Sequence, residues 1–199
     1  LELLSDSRQN PAQSKHIARM QDDIDEMNDM TDELLHYARI ERSGVSDDWH
    51  AVAPNAFMDY LLAKLDREPG NRSLTIEVSA HLPAMVINRV QMERAIGNVI
   101  RNALKYSDGR VHVTLAEQNG TFSCVVDDDG PGIPVEARER VFEPFARLDA
   151  ARDRASGGHG LGLAIARQII HGHQGSMHCE DSPLGGARFC ISFPVLRET

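Results

Sequence analysis

The chain has 199 residues, with 21 Lys+Arg against 30 Asp+Glu, a formal net charge of -9, and 41% hydrophobic and 26% charged residues. That suits one medium domain or a domain with a small appendage, excludes disorder throughout, and leaves nucleic-acid binding without its main electrostatic term, so no nucleic-acid partner is expected. Cys124, Cys179 and Cys190 form no CxxC pair, no apolar run reaches the ~18 residues of a membrane helix, and no signal peptide opens the chain, which together fit reduced thiols in a reducing compartment.

The chain opens at Leu1 rather than Met and reads as a piece of something longer, with short helix-like material at Leu1 to Leu4 and a polar turn from Ser5 to Asn10. From Ser14 to Gly44 one long helix is predicted, because Ile17, Met20, Ile24, Met27, Thr31, Leu34 and Ala38 recur at alternating spacings of three and four. The opposite face is acidic, through Asp22, Asp23, Asp25, Glu26, Asp29, Asp32 and Glu33. A helix packed on its own domain is one reading; a helical hairpin that pairs with another chain fits the long seam better. Val45 to Asp48 reads as a linker, and a second domain follows from residue 45.

That domain begins with an amphipathic helix from Pro54 to Asp66, then strands at Leu74 to Ser79 and Ala84 to Ile87. Asn88 can cap a helix running to about Tyr106, and Val111 to Ala116 with Phe122 to Val126 form a hairpin around Asn119-Gly120. A helix over Leu161 to Gly172 and strands over Gly175 to Glu180 and Ala187 to Phe193 complete an α+β layer of sheet and helices.

Three segments carry chemistry. In Asn98-Val99-Ile100-Arg101-Asn102-Ala103-Leu104-Lys105-Tyr106 the two asparagines stand four apart on one helix face, with Lys105 three residues beyond Asn102. Neutral hard oxygens beside a lysine suit magnesium and the phosphates it bridges, although buried asparagines that satisfy backbone groups have the same spacing. Asp127-Asp128-Asp129-Gly130-Pro131-Gly132-Ile133 follows a strand, and lacks the alternating acids and closing glutamate of an EF-hand. A carboxylate at the strand end beside close-approach glycines can accept from the exocyclic amine of adenine; a solvated acidic loop is the alternative. Gly157-Gly158-His159-Gly160-Leu161-Gly162-Leu163 precedes a helix, and backbone amides at a helix start attract anions without net positive charge. It is neither the dinucleotide fingerprint nor a Walker pattern. Phe142-Glu143-Pro144-Phe145 lies between the glycine segments, ahead of Arg147, Arg152 and Arg154.

In that order these segments resemble the N, G1, F and G2 boxes of bacterial two-component sensor histidine kinases, and Leu184 to Phe189 resembles the family's last glycine segment. The run from Arg147-Leu148-Asp149 through Arg152-Asp153-Arg154 is similar to the RstB-like branch. The resemblance implies a catalytic ATP-binding domain over residues 45–199, with a Bergerat-type α/β sandwich, a mixed sheet covered by three helices. It makes residues 1–44 the end of a dimerisation and histidine-phosphotransfer hairpin. By the same resemblance Asn98 and Asn102 hold Mg2+ and, with Lys105, carry catalysis. Tyr106, Asp128, Gly130, Gly132 and Ile133 shape the base and ribose site, with Asp128 accepting from the adenine amine. Lys105 touches phosphate, Gly158, Gly160 and Gly162 place backbone donors at the phosphates, Arg147, His159, Leu161 and Leu163 also belong to the nucleotide site, and Ala146 to Gly158 form a lid.

The implied activity is ATP-dependent phosphorylation of a hairpin histidine in a homodimer, for relay to a response regulator receiver domain. The implied setting is the cytoplasmic side of a bacterial inner membrane, reached only through segments absent here. None of the nine histidines is followed by an acid with a proline shortly after, since Ile17 follows His16 and Tyr37 follows His36, so the phosphoacceptor is expected to be missing with most of the first hairpin helix. A Bergerat-fold ATPase is the rival enzyme, but its glutamate base falls where this chain has Asn98; a degenerate nucleotide-binding module is the other rival, against which every box keeps its polar residues. His171, His173 and His178 lack a metal-ligand spacing and read as structural.

Overall fold

The computed structural model describes residues 11–43, 48–65, 73–148 and 159–195. The Leu1 to Asn10 segment, most of the linker, Arg152, Arg154, Gly158 and most of the expected lid lie outside them.

Helix α1 spans Pro11–Ser43. Among its described side chains only those at its C-terminal end join the core, where Ile40 is buried and Tyr37 packs against the cluster, and the helix rests on α4 (Gly162–Gly172). The seam residues toward the other end face solvent, with Ile17 49%, Met20 65%, Ile24 57% and Met27 68% exposed. The apolar stripe is therefore not the face by which the helix packs on its own chain.

Beyond it, α2 (Pro54–Leu65) and α3 (Arg89–Tyr106) join α4 over a five-stranded sheet of order β2-β4-β5-β7-β6. Its strands are β2 (Ser73–Val78), β4 (Arg110–Gln118), β5 (Thr121–Asp128), β6 (Ser176–Asp181) and β7 (Ala187–Pro194). Only β2 with β4 is parallel; the other pairs are antiparallel, so the sheet is mixed. Val111, Val113 and Leu115 on β4, Phe122, Cys124 and Val126 on β5, and Phe189, Ile191 and Phe193 on β7 alternate inward to meet the helices. Burying these side chains and the helix faces opposite them supplies the main stabilisation, about 1.5–3 kcal/mol for each large apolar group.

A second, two-stranded sheet pairs β1 (His50–Val52) antiparallel with β3 (Met85–Ile87); the sequence reading assigned no strand at His50–Val52. The β4–β5 turn has Asn119 at φ 54° and Gly120 at φ 78°, the left-handed pair that a two-residue hairpin with the twist of its strands requires. Asn88 caps α3 as its side chain accepts from Gln91 N at 3.0 Å. Among the described residues no helix is long and apolar enough to cross a membrane.

Candidate functional site

Helix α3 places its polar residues at one end of the sheet. Asn98, Arg101, Asn102, Lys105 and Tyr106 line a cleft of about 170 Å³, closed on the other side by Ala146, Arg147, His159, Gly160, Gly162 and Leu163. The spacings of three and four that put them on one face in the sequence do so in the fold. Val141 and Glu33 complete the wall. Arg101, Val141 and Glu33 were not picked out as site residues from the sequence, and Ala146 only as the start of the lid. Arg101 carries a signal that could have found it, being three residues from Asn98 on the same face, whereas Glu33 comes from α1 and is placed only by tertiary packing.

The two ends of the Asn98 carboxamide are both held. Nδ2 donates to Gly162 O at 3.0 Å, tying α3 to the start of α4, and Oδ1 accepts from Arg101 Nη2 at 2.6 Å. The amide orientation is thereby set, with its oxygen already solvating a cation. A neutral oxygen that carries a guanidinium, next to Asn102 in the same wall, is a donor set of the kind magnesium takes, so the residues fit that ion.

Helix α4 begins with Leu161 as its N-cap, and no side chain among the described residues caps it. The amides of its first turn lack intrahelical partners, and Gly162 and Leu163 of that turn line the cleft. Gly160, at φ 73°, delivers the chain into this turn; a Cβ there would lie 2.9 Å from the carbonyl of Ala146 and from the carbonyl carbon of Phe145. Phe145 itself, at φ 64°, donates its N–H to Gly160 O at 2.9 Å and stands half exposed at the rim. A bulky residue in that region is strained, and the strain sits where two loops meet at the cleft. Phe142 behaves differently, buried edge-on to Phe189 with Arg167 over its ring.

The three consecutive acids do not share a solvated loop. Asp127 receives the fork of Arg188 at 2.8 and 3.0 Å. Asp129 accepts from Gly109 N, Arg110 N and Arg110 Nε, and these bonds, that of the Arg110 amide foremost, hold its carboxyl down at about 2. Asp128, between them, points inward. Its Oδ1 accepts from Gly130 N at 2.9 Å and Ala187 N at 3.0 Å, and its other oxygen makes no hydrogen bond among the described residues. Burial pushes its carboxyl above the usual range, and the two amide bonds offset part of that rise.

Asp128, Gly130, Gly132 and Ile133 stand beside the cleft rather than in its wall, joined to it at Tyr106. A Cβ on Gly130 would lie 2.4 Å from Tyr106 O, and one on Gly186 would lie 2.2 Å from Asp128 Oδ1. Ile133 is half-buried against the core, and Leu161 is fully buried, so Leu161 supports the turn into α4 from within. Gly158 lies outside the described residues. His173 is a satisfied core residue, and among the described residues no group of three or more His, Cys, Asp or Glu side chains is placed to hold a metal ion.

Comparison with known proteins places this geometry. Residues 87–197 match the family described as histidine kinase-, DNA gyrase B- and HSP90-like ATPase. The sensor protein RstB of Escherichia coli K12 is 38% identical over 177 residues, covering 87% of this chain and 40% of that protein; the sensor histidine kinase CpxA of the same strain is 36% identical over 200 residues, covering 96% and 42%. The chain thus spans about two fifths of these relatives. Among solved structures, a mycobacterial sensor histidine kinase, MprB, is 30% identical with a TM-score of 0.63, covering 73% of this chain and 97% of that one. Full-length ShkA in complex with AMPPNP, at 23% identity and a TM-score of 0.81, shares the fold over 96% of this chain and 40% of its own. The matched segment holds α3, the Asp128 strand end and α4, and on that basis the chain belongs to the histidine kinase-, DNA gyrase B- and HSP90-like ATPase family, within which it resembles RstB-like sensor histidine kinases.

Proposed function

We propose that the chain is the nucleotide-binding portion of a sensor histidine kinase, with residues 45–199 as its catalytic ATP-binding domain and residues 1–44 as part of its dimerisation hairpin. The observation that carries this reading is the join at Tyr106: a buried carboxylate with one oxygen fixed and the other without a hydrogen bond among the described residues, next to a cleft with two asparagines, Lys105, Arg147 and a helix start that no described side chain caps. The first suits an amino-purine edge, the second a polyphosphate. Asn98 and Asn102 would hold magnesium, which neutralises phosphate charge when bound. Lys105, Arg147 and the amides of Gly160, Gly162 and Leu163 supply positive charge and donors along the phosphates; His159 adds a ring donor in the same wall. No carboxylate stands where Asn98 does, so the glutamate base of a Bergerat-fold ATPase has no counterpart at that position, which favours transfer to a histidine over hydrolysis. In the longer homodimer the acceptor is a hairpin histidine and the next acceptor a response-regulator aspartate, on the cytoplasmic side of a bacterial inner membrane.

Calorimetry with ATP or ADP and magnesium tests the site. Asp128→Ala is expected to weaken binding by about 1.5–3 kcal/mol, because a charged acceptor is lost from a desolvated place. Equal affinities for wild type and variant would remove the adenine assignment. Incubation with γ-labelled ATP should leave this chain unlabelled and release phosphate slowly; acid-labile label on it would show that one of its nine histidines is an acceptor.

A further inference from the structure

The hydrogen bond between Arg101 and Asn98 has a consequence for metal loading, and it rests on the nucleotide reading above. Asn98 Oδ1 is the oxygen through which that residue would ligate magnesium, and it is held by Arg101 Nη2 at 2.6 Å. The other end of the amide is committed to Gly162 O, so the oxygen cannot be supplied by flipping the group without losing the tie to α4. A guanidinium and a divalent cation at one neutral oxygen repel each other across a partly desolvated wall. Arg101 lines the same cleft as Lys105 and Arg147, one turn before Lys105 on α3, so its charge also faces the place assigned to the phosphates. Gly97 leaves room for this arrangement: a Cβ there would sit 3.5 Å from Arg101 Nη1, where a longer side chain would crowd the fork.

We propose that Arg101 is a positioning residue that stands in for the metal at Asn98: without magnesium its guanidinium fixes the Asn98 amide and offers charge to the phosphates, and loading of the metal-nucleotide requires it to release the oxygen. Wild-type nucleotide binding then depends less on metal than the site would without this arginine.

The test compares ADP affinity in excess magnesium with that in EDTA, by calorimetry, for wild type, Arg101→Met, Arg101→Lys and Lys105→Met. The ratio of the two dissociation constants, EDTA over magnesium, is expected to rise about fivefold or more in Arg101→Met, since a charge-assisted hydrogen bond no longer has to be broken and the metal-free state loses its substitute cation. Arg101→Lys, with the charge but not the planar fork, should fall between. Lys105→Met should weaken ADP in both buffers and leave the ratio nearly unchanged. An unchanged ratio in Arg101→Met, or an equal rise in Lys105→Met, overturns the assignment of Arg101 while leaving the nucleotide site standing. Absence of ADP binding by the wild type in both buffers overturns the nucleotide reading and this inference together.

Discussion

At the scale of single residues, Asp128 joins function to acidity. Its carboxyl is raised by burial, so it takes up a proton at a higher pH than an exposed aspartate. Protonation removes the acceptor that an adenine amine needs. ADP affinity should therefore fall on acidification while ordinary carboxylates are still ionised, and a phosphate-only probe such as pyrophosphate should lose less over the same range; parallel titrations of both ligands check this, and identical profiles would detach Asp128 from the base. The sign for stability is the reverse. A carboxyl whose folded-state value is raised binds protons more readily when folded, so it opposes folding at neutral pH and that penalty is relieved as pH drops. A buried charge with one oxygen lacking a hydrogen bond costs stability. The sequence shows three adjacent acids, for which a solvated acidic loop is the alternative reading. What it could not show is that Arg188, 61 positions away, takes the first, and Arg110 the third, since strand register decides both.

At the scale of elements, the ends of α3 and α4 are joined through His173. Asn88, the cap of α3, donates its backbone N–H to His173 Nε2 at 3.2 Å, while Nδ1 lies 2.8 Å from Ile169 O and Trp49 lies 4.6 Å from the ring. One nitrogen accepts and the other donates, so the neutral ring fits and a second proton would face a donor. Burial lowers its affinity for a proton below the ordinary 6.5, the bond to Ile169 opposing. The unfolded chain then binds the proton more readily, so stability is complete above about 6.5 and declines as pH falls below it. Urea unfolding at pH 7.5 and pH 5.5 should show this loss, and His173→Gln should flatten it; a slope that survives the substitution would assign the effect elsewhere. Elements with local signals were legible: the Asn88 cap, the Asn119-Gly120 turn and the alternation of β4, β5 and β7 each act within a few residues. β1 was not, because three residues with an exposed start carry no period and become a strand only through β3, some 35 positions on.

At the scale of the molecule, α1 has two ends with different tasks. Its C-terminal end is part of the core, whereas Ile17, Met20, Ile24 and Met27 remain open to solvent along one stripe. Covering such a stripe with a second copy fits the proposed homodimer. Ile24→Glu should then shift the chain toward monomer in sedimentation at high concentration without changing its thermal unfolding by more than about 0.5 kcal/mol, as for an exposed position; a wild type that stays monomeric in the millimolar range would leave the stripe without this partner. The heptad spacing made the helix and its seam legible, but not where along the helix the rest of the chain attaches. Attachment brings Asp32 and Glu33 into the field of Arg94 on α3 and puts Glu33 in the wall of the cleft.

Glu33 gives the helix and any phosphate ligand a common boundary. Free energies that meet at one boundary are reciprocal: what α1, held in place, subtracts from the affinity of an anion, the bound anion must return as a push on α1. A helix of 33 residues is roughly 50 Å long, so a tilt begun at Glu33 is magnified toward its exposed end. With the proposed nucleotide in the cleft, its affinity and the set of α1 would share one coupling free energy, so whatever shifts α1 at Glu33 would shift the affinity, and the bound anion would act back on α1 to the same extent.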